Sequence, residues 1–112
     1  MTPAYVAALF DEYAPRFEAH LTQALDYRGP QILMEALERA APGRRFAEAM
    51  DLGCGTGLMA EAIRDRVEAI DGVDVAAAMV SQARGRGLYR DLAAGEMIAV
   101  LEGKEAARYD LI

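Results

Sequence analysis

Apolar positions recur along this chain with two periods, and each change of period marks an element. From Pro3 to Phe10 and from Glu12 to Tyr27, alanine, leucine and aromatic residues fall three and four apart, which predicts two short helices with a break at Pro15. Gly29 and Pro30 make a turn, Pro30 suits a first helical position, and Ile32, Leu33, Ala36, Leu37 and Ala40 then share one face of a packing helix. Ala41, Pro42 and Gly43 stop it, and Arg44 and Arg45 form a short solvated loop. Phe46 to Leu52 reads as a first strand; it is alanine-rich and weak as a strand former, so its assignment leans on the glycine turn that follows. In the run Leu58 to Arg66 and on to Val67, residues Leu58, Met59, Ala62, Ile63 and Val67 line one helix face, with Glu61, Arg64 and Asp65 on the other. A second strand spans Val67 to Asp74, a helix Val75 to Arg84, a loop Gly85 to Gly87 and a short third strand Leu88 to Ala94. Met97, Ile98, Val100 and Leu101 make a short helix, and Tyr109 to Ile112 opens a fourth strand. Such alternation predicts an α/β fold, a Rossmann-like doubly wound parallel sheet behind an N-terminal helical extension.

Length and charge narrow the partners. With 112 residues there is room for one modest core, and a net charge of −6 argues against a broad nucleic-acid or anionic-membrane surface. A single cysteine, Cys54, excludes an intrachain disulfide. With neither a signal-peptide pattern nor an apolar run of bilayer length, the expectation is a cytoplasmic protein. Cys54 falls between two glycines with no histidine nearby in sequence, which favours a small filler of a tight turn over a reactive thiol. The only histidine is His20, read as solvated or helix-capping, and there is no metal-ligand cluster.

The candidate chemistry sits at Asp51 to Gly57, DLGCGTG, between the first strand and the helix after it. Alternating glycines allow a tight reversal and a close approach of main chain to a ligand, and the helix start offers unpaired N–H groups. Gly55, Gly57 and Ala60 satisfy the dinucleotide spacing G-x-G-x-x-G/A. That reading leaves Asp51 unexplained, because a carboxylate two residues before the first glycine repels a pyrophosphate and attracts a cation. Asp74, about twenty residues on at the end of the second strand, is placed to accept hydrogen bonds from both ribose hydroxyls of an adenosine group in either cofactor class, with a strand-end acid capping the next helix as the alternative. Three readings follow: an adenosyl cofactor with a positive charge, an NAD(P)-dependent oxidoreductase, or a noncatalytic interaction module that keeps only the sheet.

Asp51, Gly53, Gly55 and Gly57 resemble the first motif of class I S-adenosylmethionine-dependent methyltransferases. The resemblance implies an acid near the methionine ammonium, glycine backbone along the methionine and ribose, and S-adenosylmethionine or S-adenosylhomocysteine as ligand. It counts Val75 and Met79 among the cofactor contacts, with a core role open for Met79, and finds Ala76 where a small polar helix cap is usual. It places Glu96 as the acid for the adenine amino group, where a helix-start role stays open, and lays Met97 against the purine. Phe10 to Leu21 and Leu25 to Pro30 resemble the opening of a bacterial subgroup sometimes fused to tetratricopeptide repeats, which implies a lid carrying Tyr5, Tyr13 and Arg28. For Tyr13 an aromatic anchor between helices, and for Arg28 a surface charge near a turn, stay open.

The same resemblance implies seven strands in the order 3-2-1-4-5-7-6, of which the first three and the start of the fourth are present. The expected organisation is a helical lid or extension over 1–43 and the N-terminal half of a cofactor-binding domain over 44–112, a truncated domain. From it follow methyl transfer to an unidentified acceptor, a piece that is inactive by itself, and self-association by pairing at the uncovered edge of the first strand or by exchange of the Tyr109 to Ile112 strand.

Overall fold

The computed structural model describes residues 28–104 and 107–112, together with Ala7 and Asp11. Apart from Ala7, the two predicted N-terminal helices, with Tyr5, Tyr13 and His20, lie outside the described residues.

Helix α1, Gly29–Ala40, has Pro30 in its first turn and Arg39 in its last, both favourable places for these residues. It stops where Gly43 takes a positive φ of 66° and donates its N–H to Glu38 Oε1 at 3.0 Å. Strand β1, Phe46–Leu52, leads through the glycine turn into helix α2, Leu58–Ile63, and a 3-10 turn, Arg64–Arg66. Strand β2, Val67–Asp74, helix α3, Ala77–Gly85, strand β3, Asp91–Ala94, and helix α4, Met97–Glu102, follow. The sheet order is β1-β2-β3, all parallel, with Phe46 opposite Val67, Asp51 opposite Gly72 and Asp74 opposite Ala94.

The far edge of β1 is paired as well. Leu111 bridges Ala49 in parallel, Met50 N–H donates to Leu111 O at 2.9 Å, and the Asp110 carboxylate accepts from the N–H groups of Ala47 and Glu48 at 3.0 and 2.9 Å. Residues 110–112 therefore run where a fourth strand is expected. This pairing on both edges compensates for the poor intrinsic strand propensity of the alanines in β1.

The core joins Phe46, Ala49, Ile63, Val67 and Ile70 of the strands and α2, with Met34 and Leu37 of α1 packed against it. Burying each large side chain among these is worth about 1.5–3 kcal/mol. Arg66 ties the end of α1 to the corner before β2, donating to Arg44 O, Ala41 O and Glu38 Oε2 at 2.7, 3.0 and 2.7 Å.

One helix face and several boundaries differ from the expectation. In α1 the face toward the core is Met34 and Leu37, while Ile32 and Leu33 are 58% and 55% exposed. Val67 belongs to β2 and not to the preceding helix, because the chain tightens through the 3-10 turn that Arg66 holds. Gly85 closes α3 instead of starting a loop. Strand β3 begins only at Asp91, because Leu88 and Tyr89 turn in against the core.

Candidate cofactor site

The glycine turn is a folded object with its own hydrogen bonds. Gly53 and Cys54 N–H both donate to Val73 O, at 2.9 and 3.0 Å, and Gly57 N–H closes the turn on Cys54 O at 3.0 Å. Gly53, Gly55 and Gly57 take φ values of 69°, 55° and 95°, the left-handed region closed to most side chains. A Cβ on Gly57 would lie 2.8 Å from Arg86 Cδ and 3.3 Å from Tyr89 Cε2, so this glycine is also required by space.

Asp74 locks the turn to the second strand. One carboxylate oxygen accepts Gly55 N–H at 3.0 Å and the other accepts Ala76 N–H at 2.9 Å. The acid expected at the ribose thus stands beside the second glycine. A carboxylate offers about four acceptor sites, so these two bonds leave capacity for hydroxyl donors.

Asp51 lies one strand away. Its Oδ2 accepts the Tyr89 hydroxyl at 2.7 Å. Burial raises its pKa; the Tyr89 hydrogen bond opposes that shift, and the Asp74 charge adds to it. Burial, and then the charges of Asp51 and Asp74, push the Cys54 thiol up to about 12. A thiol so raised is not a nucleophile near neutrality, and Cys54 is a buried filler of the turn, as its setting in the sequence suggests.

The remaining predicted residues separate into groups. Met97 stands beside the turn, its Sδ 4.0 Å from the place of a Cβ on Gly53. Met79 is 1% exposed, clustered with Ala76 and Ala78, which is the core role left open for it. Val75 is half-buried between β2 and α3. Glu96 caps α4, its two oxygens accepting Ile98 and Ala99 N–H at 3.0 and 2.9 Å, and these N–H groups hold its carboxyl below the usual range. This is its helix-start role. Arg28 is exposed just before α1, where its carbonyl accepts Ile32 N–H. Tyr13 lies outside the described residues.

Sequence reasoning passed over four contributors. Tyr89 reaches Asp51 from the segment before β3, and the signal was Gly72, a glycine inside a strand, which marks a close approach. Arg86 donates to Thr56 O at 2.7 Å and pairs with Glu61, bracing the turn from α3. Thr56 is 1% exposed and its Oγ1 has no partner among the described residues. Asp11 accepts Ala78 N–H at 2.8 Å, supplying from the N-terminal stretch the helix cap that Ala76 cannot. Nothing in the sequence pattern pointed to that long-range bond.

The donor set suits a cationic adenosyl compound. Two carboxylates flank the turn, and the nearby guanidinium of Arg86 is engaged by Thr56 O and Glu61. A diphosphate there would meet two negative charges.

An open parallel sheet with an acid-flanked glycine turn defines the class of nucleoside-cofactor proteins, and comparison with known proteins places the chain within a family. Residues 49–112, more than half of the chain, match the family model described as a methyltransferase domain. The chain belongs to the class I S-adenosylmethionine-dependent methyltransferases, and its cofactor is S-adenosylmethionine. It is 37% identical over 79 residues to a malonyl-[acyl-carrier protein] O-methyltransferase of Enterobacter lignolyticus, a match covering 70% of this chain and 29% of that protein. It therefore spans less than a third of that relative's length. Among solved structures, the DhpI complex with S-adenosylhomocysteine shares the fold with a TM-score of 0.66 at 18% identity, over 94% of this chain and 49% of the other. CalS10 with bound S-adenosylmethionine, an amino pentose methyltransferase of Micromonospora echinaspora, matches with a TM-score of 0.51 at 31% identity, over 71% and 34%. The family assignment removes the dinucleotide reading that the glycine spacing had left open.

Proposed function

We propose that residues 44–112 form the cofactor-binding half of an enzyme that methylates a small or carrier-bound acceptor, with residues 1–43 as a helical extension. The observation that carries this reading is the bond from Gly55 N–H to Asp74, which holds the carboxylate at the end of β2 against the glycine turn that follows β1. When bound, the cofactor supplies the electrophile, a methyl group on a sulfonium. The protein's share is binding, alignment and exclusion of water.

In this reading Asp51 faces the ammonium, Gly53 to Gly57 run along the methionine and ribose, Asp74 accepts the ribose hydroxyls, and Met97 lies against the purine. Val75 borders the nucleoside end. Glu96 can contact the adenine amino group only in addition to its capping bonds, and Tyr13 and Arg28 belong to the extension. No described residue is assigned as a general base. The Enterobacter relative makes a malonyl group on an acyl carrier protein the first acceptor to assay. The reading places the protein in the cytoplasm; no helix among the described residues is long and apolar enough to cross a membrane.

Calorimetry with S-adenosylhomocysteine tests the assignment. Asp74→Ala is expected to lose about 1.5–3 kcal/mol of binding, the range for hydrogen bonds to a charged group. Affinity equal to that of the wild type would remove Asp74 from the ribose.

A further inference from the structure

We propose that Tyr89 is a positioning residue for the methionine end of the cofactor, its hydroxyl fixing the Asp51 carboxylate beside the glycine turn; this rests on the cofactor reading above. Three observations carry it. The phenol oxygen lies 2.7 Å from Asp51 Oδ2, across 38 positions of sequence. The ring occupies space that two glycines leave free: a Cβ on Gly72 would lie 2.7 Å from Tyr89 Cε1, and one on Gly57 would lie 3.3 Å from Cε2. Gly72 is also the register partner of Asp51 in the sheet. The ring therefore passes over β2 at its one residue without a side chain and delivers its hydroxyl to the neighbouring strand.

What this arrangement does follows from the chemistry of Asp51. A carboxylate in partly buried surroundings, with a second acid nearby, tends to take up a proton or to turn away. A phenol that donates to one oxygen favours the ionised form and leaves the other oxygen in a fixed direction. The ammonium of the cofactor then meets a charge already oriented, which reduces the ordering cost of binding. A packing role for the ring alone gives a different result, because loss of the hydroxyl would then leave ligand selectivity untouched.

The test compares two ligands that differ in the group Asp51 would face. S-adenosylhomocysteine carries the amino acid, whereas 5′-methylthioadenosine keeps the nucleoside and thioether without it. By calorimetry on the protein, Tyr89→Phe is expected to weaken S-adenosylhomocysteine about tenfold and to leave methylthioadenosine within about twofold. An Asp51→Asn variant, which keeps the ring in place, is expected to show the same selectivity. The double variant should lose no more than Asp51→Asn alone, since both changes remove one interaction. Equal losses for both ligands, unchanged binding of both, or additive losses in the double variant would each overturn the role of Tyr89 while wild-type binding stands. If the wild type binds neither ligand, the cofactor reading itself fails and Tyr89 loses its role with it. Should Tyr89→Phe not fold, the Asp51→Asn comparison decides alone: equal loss of both ligands overturns the proposal.

Discussion

Asp71 is a residue whose charge is affordable only because of what surrounds it. It is 1% exposed in β2, and Arg90 donates to its two oxygens at 3.0 and 2.8 Å while the Tyr109 hydroxyl donates at 2.7 Å. Burial pushes its pKa up, but the Arg90 guanidinium and the Tyr109 hydroxyl outweigh it, and the net shift is downward. A carboxyl depressed in the folded state adds stability above its unfolded pKa, and that stability is lost as pH falls through the folded value. Asp71→Asn is therefore expected to cost about 1–3 kcal/mol near neutrality and to flatten the decline of stability below about pH 4, read by denaturant melts across pH. Identical acid limbs in the two proteins would remove Asp71 as a source. Asp51, raised by burial, acts with the opposite sign: the folded state holds its proton more tightly, so its contribution declines as pH rises through the ordinary carboxylate range.

At the scale of elements, α3 begins without a cap of its own. Ala76 at its N-cap makes no side-chain hydrogen bond, and Asp11 accepts Ala78 N–H from 67 positions away. Removing this acceptor with Asp11→Ala is expected to destabilise the protein by about 1 kcal/mol, and adding Ala76→Ser should restore most of it by capping the helix locally. Thermal melts that show no rescue would mean that the Asp11 bond does something other than capping.

The same helix shows what the sequence could convey. The absent cap was legible from the alanine at 76, but the helix starts at Ala77 and not at Val75, and its actual cap depends on a fold-level meeting that no local pattern encodes. Strand β1 was placed correctly from the turn after it, not from its own alanines, and its stability comes from partners on both edges. The glycine turn and the place of Asp74 at the end of β2 were legible because φ and spacing are local demands, while the contact of Asp74 with a ribose is a proposal. Tyr89 was not, because reaching Asp51 requires the register of β1 on β2. The face of α1 was misjudged since Leu33 and Leu37 are equally apolar, and only docking on α2 decides which is covered.

Over the whole molecule, the apolar surface is unevenly covered. Between α1 and β1 lies a cavity of about 610 Å³ whose lining includes Leu33, Ala40, Met50, Asp51, Met59 and Ile112, so that it borders the cofactor site at Asp51. Ile112 is 72% exposed at its mouth. Because residues 110–112 pair with the outer edge of β1, we propose that this apolar surface, and not the sheet edge, supports self-association of the chain. Light scattering over a range of concentrations should show mass rising above that of a monomer, and a constant monomeric mass would contradict it.

The carboxylates that flank the glycine turn are expected to select a cationic adenosyl compound over a phosphate-bearing one. Side-by-side calorimetry with S-adenosylmethionine and NADH tests it most directly. Saturable heat with S-adenosylmethionine and none with NADH is expected; saturable binding of NADH with none of S-adenosylmethionine would refute this selectivity.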